Sequence, residues 1–565
     1  MWMTELPPFL PFVIGALIAL CVRGWLRSVV LLLTPVLGGL NILGIDAGTV
    51  VQWQFLDYTL TPHRADELSL LFGYLFHIAA FIGIVFALHV RDTIQQISAL
   101  LYASSALGAV FAGDLITLFV FWELMAFTSV FQIWARRSRA SLHAGMRYLL
   151  IQVLSGVLLL VGTLVHLNQG GSLDFGLMEL EGLASWMIFI AFGIKCAFPL
   201  MHNWLTDSYP EATPTGAVFL SVFTTKVAVY ALARGFAGTE LLIIIGATMA
   251  CFPIFYAVIE NDLRRVLAYS LINQLGFMVV GIGIGTELAL NGTVAHAFAH
   301  VLYKSLLFMS MGSVLYMTGK INGSDLGGLY KSMPKTTVLC IVGAASISAF
   351  PLFSGFVSKA MIMSAALEEG HDWVWLILLF AAAGVFHHAG IKIPFFAFFG
   401  HDSGIRVKEA PVNMLMAMSI AATLCIAIGV YPQMLYQLLP NPVAYNPYDA
   451  THVIAQMQLL FFSALAFVWL KLRGLYPPEL HSVNIDAEWI YRRLLPGTIG
   501  QFVRVLVQPV NLAISAISTR LLSLGSEQLF KHHGPQGILA RTWPTGSMVL
   551  WVAVLLVVYL MLYYL

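Results

Sequence analysis

The chain has 565 residues, of which 59% are hydrophobic and 10% charged, with 29 Lys+Arg against 28 Asp+Glu and a net charge of +1. Soluble domains carry about 25% charged residues, so this composition cannot coat a globular surface of that size, and a near-neutral balance leaves no basic patch for nucleic acid. Soluble enzymes, nucleic-acid-binding modules and disordered scaffolds are excluded.

A spanning helix needs about 20 mostly apolar residues. Such runs occur near 8–25, 27–45, 67–90, 94–112, 113–134, 145–168, 183–203, 213–234, 239–260, 265–285, 288–318, 336–363, 373–399, 413–432, 452–471 and 545–565. The alternation of a membrane β-barrel is missing, so the expected class is an all-α polytopic membrane protein with about 16 transmembrane helices. MWMTELPPFL at the start lacks a basic region and a cleavage site, which reads the first run as a retained helix and not a signal peptide. The five cysteines, Cys21, Cys196, Cys251, Cys340 and Cys425, are far apart in apolar segments without CxxC, a pattern of small buried hydrophobes and not of a disulfide, zinc or iron–sulfur framework.

Charge in the loops orients the spans. With the N-terminus outside, Arg23, Arg27, Arg136, Arg137, Arg139, Arg147, Arg264, Arg265, Lys320, Lys331 and Lys335 all fall on the cytoplasmic side. The other loops hold only Arg64 and Arg234 among basic residues, and carry Asp174, Glu179, Glu181, Glu368, Glu369 and Asp372. Both termini are then expected on the non-cytoplasmic side. Between 473 and 544 the chain turns mixed and basic. Ile499, Phe502, Val503, Leu506, Val510, Leu512, Ile514 and Ile517 recur there at helical spacing, which predicts an amphipathic helix over 498–530 lying along the membrane, before a terminal anchor at 545–565.

Five lysines have no loop to occupy: Lys195, Lys226, Lys304, Lys359 and Lys392. A charge near the bilayer centre costs on the order of 2.5–3.5 kcal/mol, which makes each a functional candidate. Glu123, in LFVFWELMAF, would be protonated unless a cation from another helix meets it. Lys195 stands four residues before Pro199, and Lys392 two before Pro394; with Pro351 in AFPLFSG, these prolines are the expected helix breaks, tolerated in membranes where they line a cavity. Lys359, just after the Pro351 kink, is close enough to a helix end to reach the interface. His296, His300 and Lys304 recur every four residues on one helix face, about 6 Å apart per step. Two histidines at that spacing fit zinc, but the lysine repels a cation and no acid or cysteine completes the site, so a proton relay is the better reading. His387 and His388 extend such a relay or bond to backbone. GIGIGTE at a helix end is not a dinucleotide motif and GxxxxGK[ST] does not occur, so no cofactor or metal is expected and the drive must come from an ion gradient or a partner.

WELM around Glu123, GIKCAFPLMHNWLTDSYPEATPTGAV around Lys195, the TTK of Lys226, DLRRVLAYSLINQLGFM and HAFAHVLYKSLLF together resemble the antiporter-like subunits of respiratory complex I and their relatives in Mrp-type Na+/H+ antiporters and membrane-bound hydrogenases. The resemblance implies a 14-helix core with two inverted five-helix repeats containing broken helices. It implies a Glu123–Lys195 pair, a central Lys226, and a His/Lys helix leading to Lys392, which faces the exit. YLLIQVLSG resembles M-type and Mrp D-type chains, whereas Lys392 and the tail from DAEWIYRR resemble the L-type; AGVFHHAGIKIPFFAFFGHDSG looks most like the D-type antiporter chains. The expected organisation is N-terminal helices at 1–93, an antiporter-like proton-translocating core at 94–432, an additional span at 433–472, a cytoplasmic-side segment with the lateral helix at 473–544, and the anchor at 545–565.

The expected function is proton translocation in a multisubunit Na+/H+ antiporter of the bacterial cytoplasmic membrane, carrying H+ with Na+ or K+ as the exchanged ion, and with other membrane subunits braced by the lateral helix. The alternatives are a redox-driven complex I-like or hydrogenase-like assembly and an inorganic-carbon uptake system.

Overall fold

In the computed structural model the described residues are 6–56, 58–481, 484–538 and 544–564. The first five residues of the N-terminal stretch read as a retained helix lie outside them. Two compact units are present, residues 1–484 and 485–565.

The first unit opens with α1 (Leu10–Cys21) and α2 (Trp25–Leu43) and an antiparallel hairpin of β1 (Val50–Phe55) and β2 (Tyr58–Arg64). α3 (Glu67–Ala87), α4 (Thr93–Phe111), α5 (Leu115–Trp134), α6 (Arg139–Asn168), α7 (Gly182–Cys196), α8 (Asn203–Ser208), α9 (Gly216–Val222) and α10 (Thr224–Gly235) follow. Next are α11 (Leu241–Ile259), α12 (Leu263–Ile284), α13 (Glu287–Thr318), α14 (Pro334–Ile347), α15 (Ser354–Glu368) and α16 (Asp372–Val385). The last of these continues through α17 (Lys392–Pro394) to Phe399, before α18 (Val412–Val430), α19 (Gln433–Tyr436) and α20 (Ala450–Leu472). Short polar residues start many of these helices: Asp66, Asp92, Asp114, Ser138 and Asp262 each accept backbone N–H bonds of the first turn, the groups a helix leaves unpaired there.

Each of the sixteen apolar runs read from the sequence coincides with a helix or a pair of half-helices. Among the described residues, fourteen helices are long and apolar enough to cross a membrane, and Leu10–Cys21, Gly182–Cys196 and Pro334–Ile347 are shorter apolar helices. α10, α12 and α13 are almost entirely buried, so the ionisable groups they carry sit at the centre of the unit.

The inverted repeat is visible in matching details. Asp114 caps α5 and bridges to Asp174, beyond α6; Asp262 caps α12 and bridges to Asn322, beyond α13. The long α6 and α13, 30 and 32 residues, follow in equivalent order. After each comes a helix broken at the same four residues. Ala197-Phe198-Pro199-Leu200 separates α7 from α8, and Ala349-Phe350-Pro351-Leu352 separates α14 from α15. In both, the Ala and the Leu take left-handed backbone conformations, φ 63° and 68° in the first and 56° and 73° in the second. Non-glycine residues there are strained and persist only where packing holds them. The Asp114 bridge belongs to the acidic loops and the Asp262 bridge to the basic ones, as opposite-facing copies require.

Pro394 is not a third break. π-helical turns, Phe386–Ile391 and Phe395–Phe399, flank it, and the wider turn absorbs the missing N–H and the ring while the helix runs on from Asp372 to Phe399. The counterpart of the Pro199 break is therefore Pro351, followed by Lys359, and not Pro394.

The second unit is one helical stretch of 44 residues, Ile490–His533, longer than the expected 498–530 run, then α23 (Thr545–Tyr564). Within the stretch, α21 (Leu495–Phe502) and α22 (Gln508–His533) are joined by the π turn Val503–Val507, and each takes its proline in its first turn, where no N–H is needed. Among its described side chains, none in these helices is buried. The one stretch of strand among the described residues, the β1–β2 hairpin, was not anticipated.

Candidate functional site

Glu123 lies half-buried on α5, and Lys195 fully buried at the last turn of α7. The Lys195 ammonium donates to the carbonyl of Trp122 (2.5 Å) and sits over its indole (4.6 Å), next to Glu123 in sequence but bonded to backbone and not to the carboxylate. Trp122 is fixed in turn by its indole N–H on Ser155 (2.9 Å), whose hydroxyl donates to the Ala191 carbonyl. Glu123 Oε1 has no hydrogen-bond partner among the described residues and rests in the notch that Gly156 leaves on α6; a Cβ there would overlap this oxygen and lie 2.5 Å from Cδ. The obstacle is the end of a flexible chain, so Gly156→Ala is expected to turn the carboxylate away and leave the helices in place. Proton movement should fall roughly 10- to 100-fold with normal amounts of folded protein in the membrane, as measured in everted vesicles alongside immunoblots.

Lys226 is fully buried on α10, three residues beyond the kink at Phe223 that separates α9 from α10. Its ammonium reaches back to the Ser221 carbonyl freed by that kink (2.8 Å) and to Thr225 Oγ1 (3.2 Å). His300 on α13 lies within charge-interaction range of Lys226, Lys304, His296 and Lys359. His296 and His300 have ring centroids 6.2 Å apart, and Tyr303 OH bonds to Gln274 Oε1 (3.0 Å) and approaches His296 Nε2 (3.4 Å). His296 Nδ1 pairs with Ser358 Oγ (3.0 Å), one residue from Lys359.

From here the groups divide into two limbs. On the first, the Lys359 ammonium donates to the Ile347 carbonyl freed at the Pro351 break (3.0 Å) and faces the ring of Phe277 (5.1 Å). Lys359 also lines a cavity of about 80 Å3 with Ser364, Trp375, His452 and Gln456. His452 Nε2 is 3.1 Å from Ser364 Oγ, and its Nδ1 pairs with Asp449, at the end of α20 next to the acidic loops. On the second limb, Lys304 leads through His388 to Lys392, close enough for the three charges to interact. Lys392 donates to the carbonyls of Val258 (2.7 Å) and Glu260 (2.6 Å) at the end of α11, beside Arg264 and Arg265, the basic side of the molecule. His387 is partly buried and stacks on Tyr476 (5.4 Å, 10°).

All ten residues singled out for proton transfer thus lie in unit 1. Glu123–Lys195 and Lys226–His300–His296–Lys359 and Lys304–His388–Lys392 are each spatially grouped, while His387 stands aside from the buried row. The sequence reading missed Gln274, Tyr303, Ser358, His452 and Glu479. Lys304 Nζ and both nitrogens of His300 are buried with no hydrogen-bond partner among the described residues. Polar groups in that situation are met by water, and a lysine, a histidine and a kinked helix side by side form a lining suited to a proton wire. Among the described residues no three His, Cys, Asp or Glu are placed to hold a metal ion.

A family profile described as NADH:quinone oxidoreductase/Mrp antiporter, TM, matches residues 112–387. Hydrogenase-4 component B of Escherichia coli K12 is 28% identical over 352 residues, 55% of this chain and 52% of that protein. Na(+)/H(+) antiporter subunit A1 of Staphylococcus haemolyticus is 28% identical over 503 residues, 80% of this chain and 60% of that one. The D-type Na(+)/H(+) antiporter subunit of Alkalihalophilus pseudofirmus is 29% identical over 356 residues, 59% and 72% of the two chains. The chain therefore spans between about half and three-fifths of the length of the first two relatives. Among solved structures, a chain of the Mrp complex from Dietzia superposes with a TM-score of 0.65 at 19% identity, over 82% of this chain and 95% of that one. A chain of the archaeal membrane-bound sulfane sulfur reductase gives 0.71 at 20% identity, over 99% and 100%. These two share the fold. The matched stretch includes the helices that hold Glu123, Lys195, Lys226 and Lys304, and over it this multi-span chain is similar to the membrane subunits of Mrp antiporters and to hydrogenase-4 component B.

Proposed function

We propose that this chain is the proton-translocating membrane subunit of a multisubunit cation/proton antiporter, with residues 94–432 as its core. One observation carries the reading: buried Lys and His side chains succeed one another from Lys226, beside the Cys196 that follows Lys195, through His300 to Lys359 on one limb and through Lys304 and His388 to Lys392 on the other. Glu123 sets the charge of Lys195 and, through it, Lys226; the proton then passes along His300 and His296 or Lys304. Loop charge favours the cytoplasmic side for the Lys392 end, which in a cation/proton antiporter is the side that receives the proton, so Lys392 is the point of release, as the resemblance implied. Entry then belongs to Lys359, through the cavity toward His452 and Asp449. The placement in the bacterial cytoplasmic membrane, both termini outside, and the lateral helix as a brace for neighbouring subunits are parts of the same proposal, as is Na+ or K+ as the counter-ion.

The test is cation-dependent dissipation of a pH gradient in everted vesicles expressing the whole operon. Sodium or potassium should dissipate the gradient in the wild type, and both Glu123→Ala and Lys226→Ala should abolish this. Activity that survives both variants would refute the proposal. A redox-driven reading is kept because hydrogenase-4 component B is among the relatives; vesicles that pump protons on NADH, formate or hydrogen but answer to no cation would select it.

A further inference from the structure

Beyond α20 the chain folds back over the Lys392 end. It turns at Gly474 (φ 67°), and Tyr476 then seats its ring, 5% exposed, against His387, Phe396 and Phe467. Lys471 stands over the rings of Phe396 (4.9 Å) and Tyr476 (5.4 Å). This strap delivers Glu479 to Lys392: the carboxylate is 3.1 Å from the ammonium, with side chains 6% and 0% exposed. Farther along, His481 meets Asp325 (3.3 Å) in the loop after α13, and Asn484 donates to Glu260 Oε2 (3.1 Å) in the loop that starts α12.

A merely structural role accounts poorly for this carboxylate. An ammonium has three protons, and the carbonyls of Ala257 (3.3 Å), Val258 and Glu260 already receive them at the end of α11, a common use of lysine. Glu479 has no other donor among the described residues. Burying a carboxylate costs several kcal/mol unless it is well paired, and a glutamine or an apolar residue would close the strap at lower cost. Burial raises the pKa of Glu479 and the charge of Lys392 opposes that rise, so the group is held where it can take and give a proton.

We propose that Glu479 is the proton-releasing carboxylate at the basic-side mouth of the pathway, discharging Lys392. The inference rests on the proton-translocation reading above. Lys304 as ammonium gives its proton to the His388 imidazole and becomes a neutral amine, while the Lys392 ammonium gives its proton to the Glu479 carboxylate, so that ammonium plus carboxylate become amine plus carboxylic acid. Glu479 loses that proton to the aqueous side and returns to the carboxylate. The His388 imidazolium then passes its proton to the Lys392 amine, which restores the ammonium and the neutral imidazole. The charged or titratable groups facing this transfer are His387, His388, Tyr476 and Lys471 around the strap, Glu260 and Arg265 from the α11–α12 junction, and Lys304 from α13.

The experiment uses the whole complex reconstituted in vesicles, with the Glu479→Gln, Glu479→Asp and Lys226→Met variants. Glu479→Gln should lower proton flux about tenfold and remove a limb of its pH profile, with the subunit fully assembled; Glu479→Asp should restore both. A wild-type rate and pH profile in Glu479→Gln, while Lys226→Met abolishes flux, would overturn this inference and leave the function standing. Loss of assembled subunit that Asp does not restore assigns Glu479 to structure and equally overturns it. Should the wild type itself move no protons, the functional reading fails; the infrared band of a protonated carboxyl across neutral pH then decides for Glu479, which is refuted if Glu479→Gln leaves that band unchanged.

Discussion

Lys304→Met is expected to abolish proton translocation and to make the subunit more stable at the same time. The ammonium of Lys304 is fully buried and has no hydrogen-bond partner among the described residues, and its neighbours Lys226 and His388 share its sign or can acquire it. An uncompensated buried charge destabilises the folded state, and methionine fills nearly the same volume with no group to desolvate. Removing the charge should add about 1–3 kcal/mol of stability, seen as a higher melting temperature of the solubilised subunit. The link from His300 toward His388 is lost with it, so flux should drop at least about 100-fold. Opposite signs on the two measurements are the mark of a group kept for its proton. A variant that loses stability, or that still translocates near the native rate, would show Lys304 to be part of the packing.

The largest loss of folded protein is expected from Gly276→Val. α11 and α12 form an antiparallel hairpin whose backbones meet at Gly246, Ala250, Gly276 and Gly283. A Cβ on Gly276 would lie 2.7 Å from the Gly246 carbonyl oxygen, 2.8 Å from Ala250 Cα and nearer still to Ala250 N. All three obstacles are backbone, so no rotamer change makes room and the helices must separate. Small residues permit this approach in membranes, where packing and not hydrophobicity drives helix association. Separation would also break the Asn273 bond to the Ala250 carbonyl and move Gln274 away from Tyr303. The expected cost is about 3 kcal/mol or more, measured as loss of the monodisperse peak after detergent extraction. Gly39, whose added Cβ meets nothing within 4 Å, is the control that should tolerate the same change.

These outcomes depend on features that were unequally legible in the sequence. The sixteen apolar runs were readable because each helix must be apolar over most of its length. His296, His300 and Lys304 declared themselves by a four-residue spacing, and the buried lysines by the cost of their charge. Glu479 gave no such signal: in the mixed stretch after 473 a carboxylate reads as solvated, and only the return of the strap over α17 buries it. Pro394 misled because a π turn has no sequence mark, whereas the AFPL at 197–200 and again at 349–352 is a literal repeat that a comparison of the chain with itself would have exposed. The hairpin escaped for a related reason, since VVQWQF alternates only briefly among long apolar runs.

The twin breaks also bear on how the chain enters the bilayer. α7, α14 and α15 have 15, 14 and 15 residues, about 22 Å of helix against a hydrocarbon core of about 30 Å. None can cross alone, and each leaves unpaired backbone groups at its broken end, carbonyls on α7 and α14 and N–H groups on α15, that hydrocarbon cannot solvate. During synthesis such a segment has to wait at the translocon, or at the membrane surface, until Trp204 can meet the Ile194 carbonyl, or Lys359 that of Ile347. Biogenesis of the whole unit should therefore pause twice, once while each half of the repeat closes, and a nascent chain arrested just past either AFPL is the species that membrane quality control would meet.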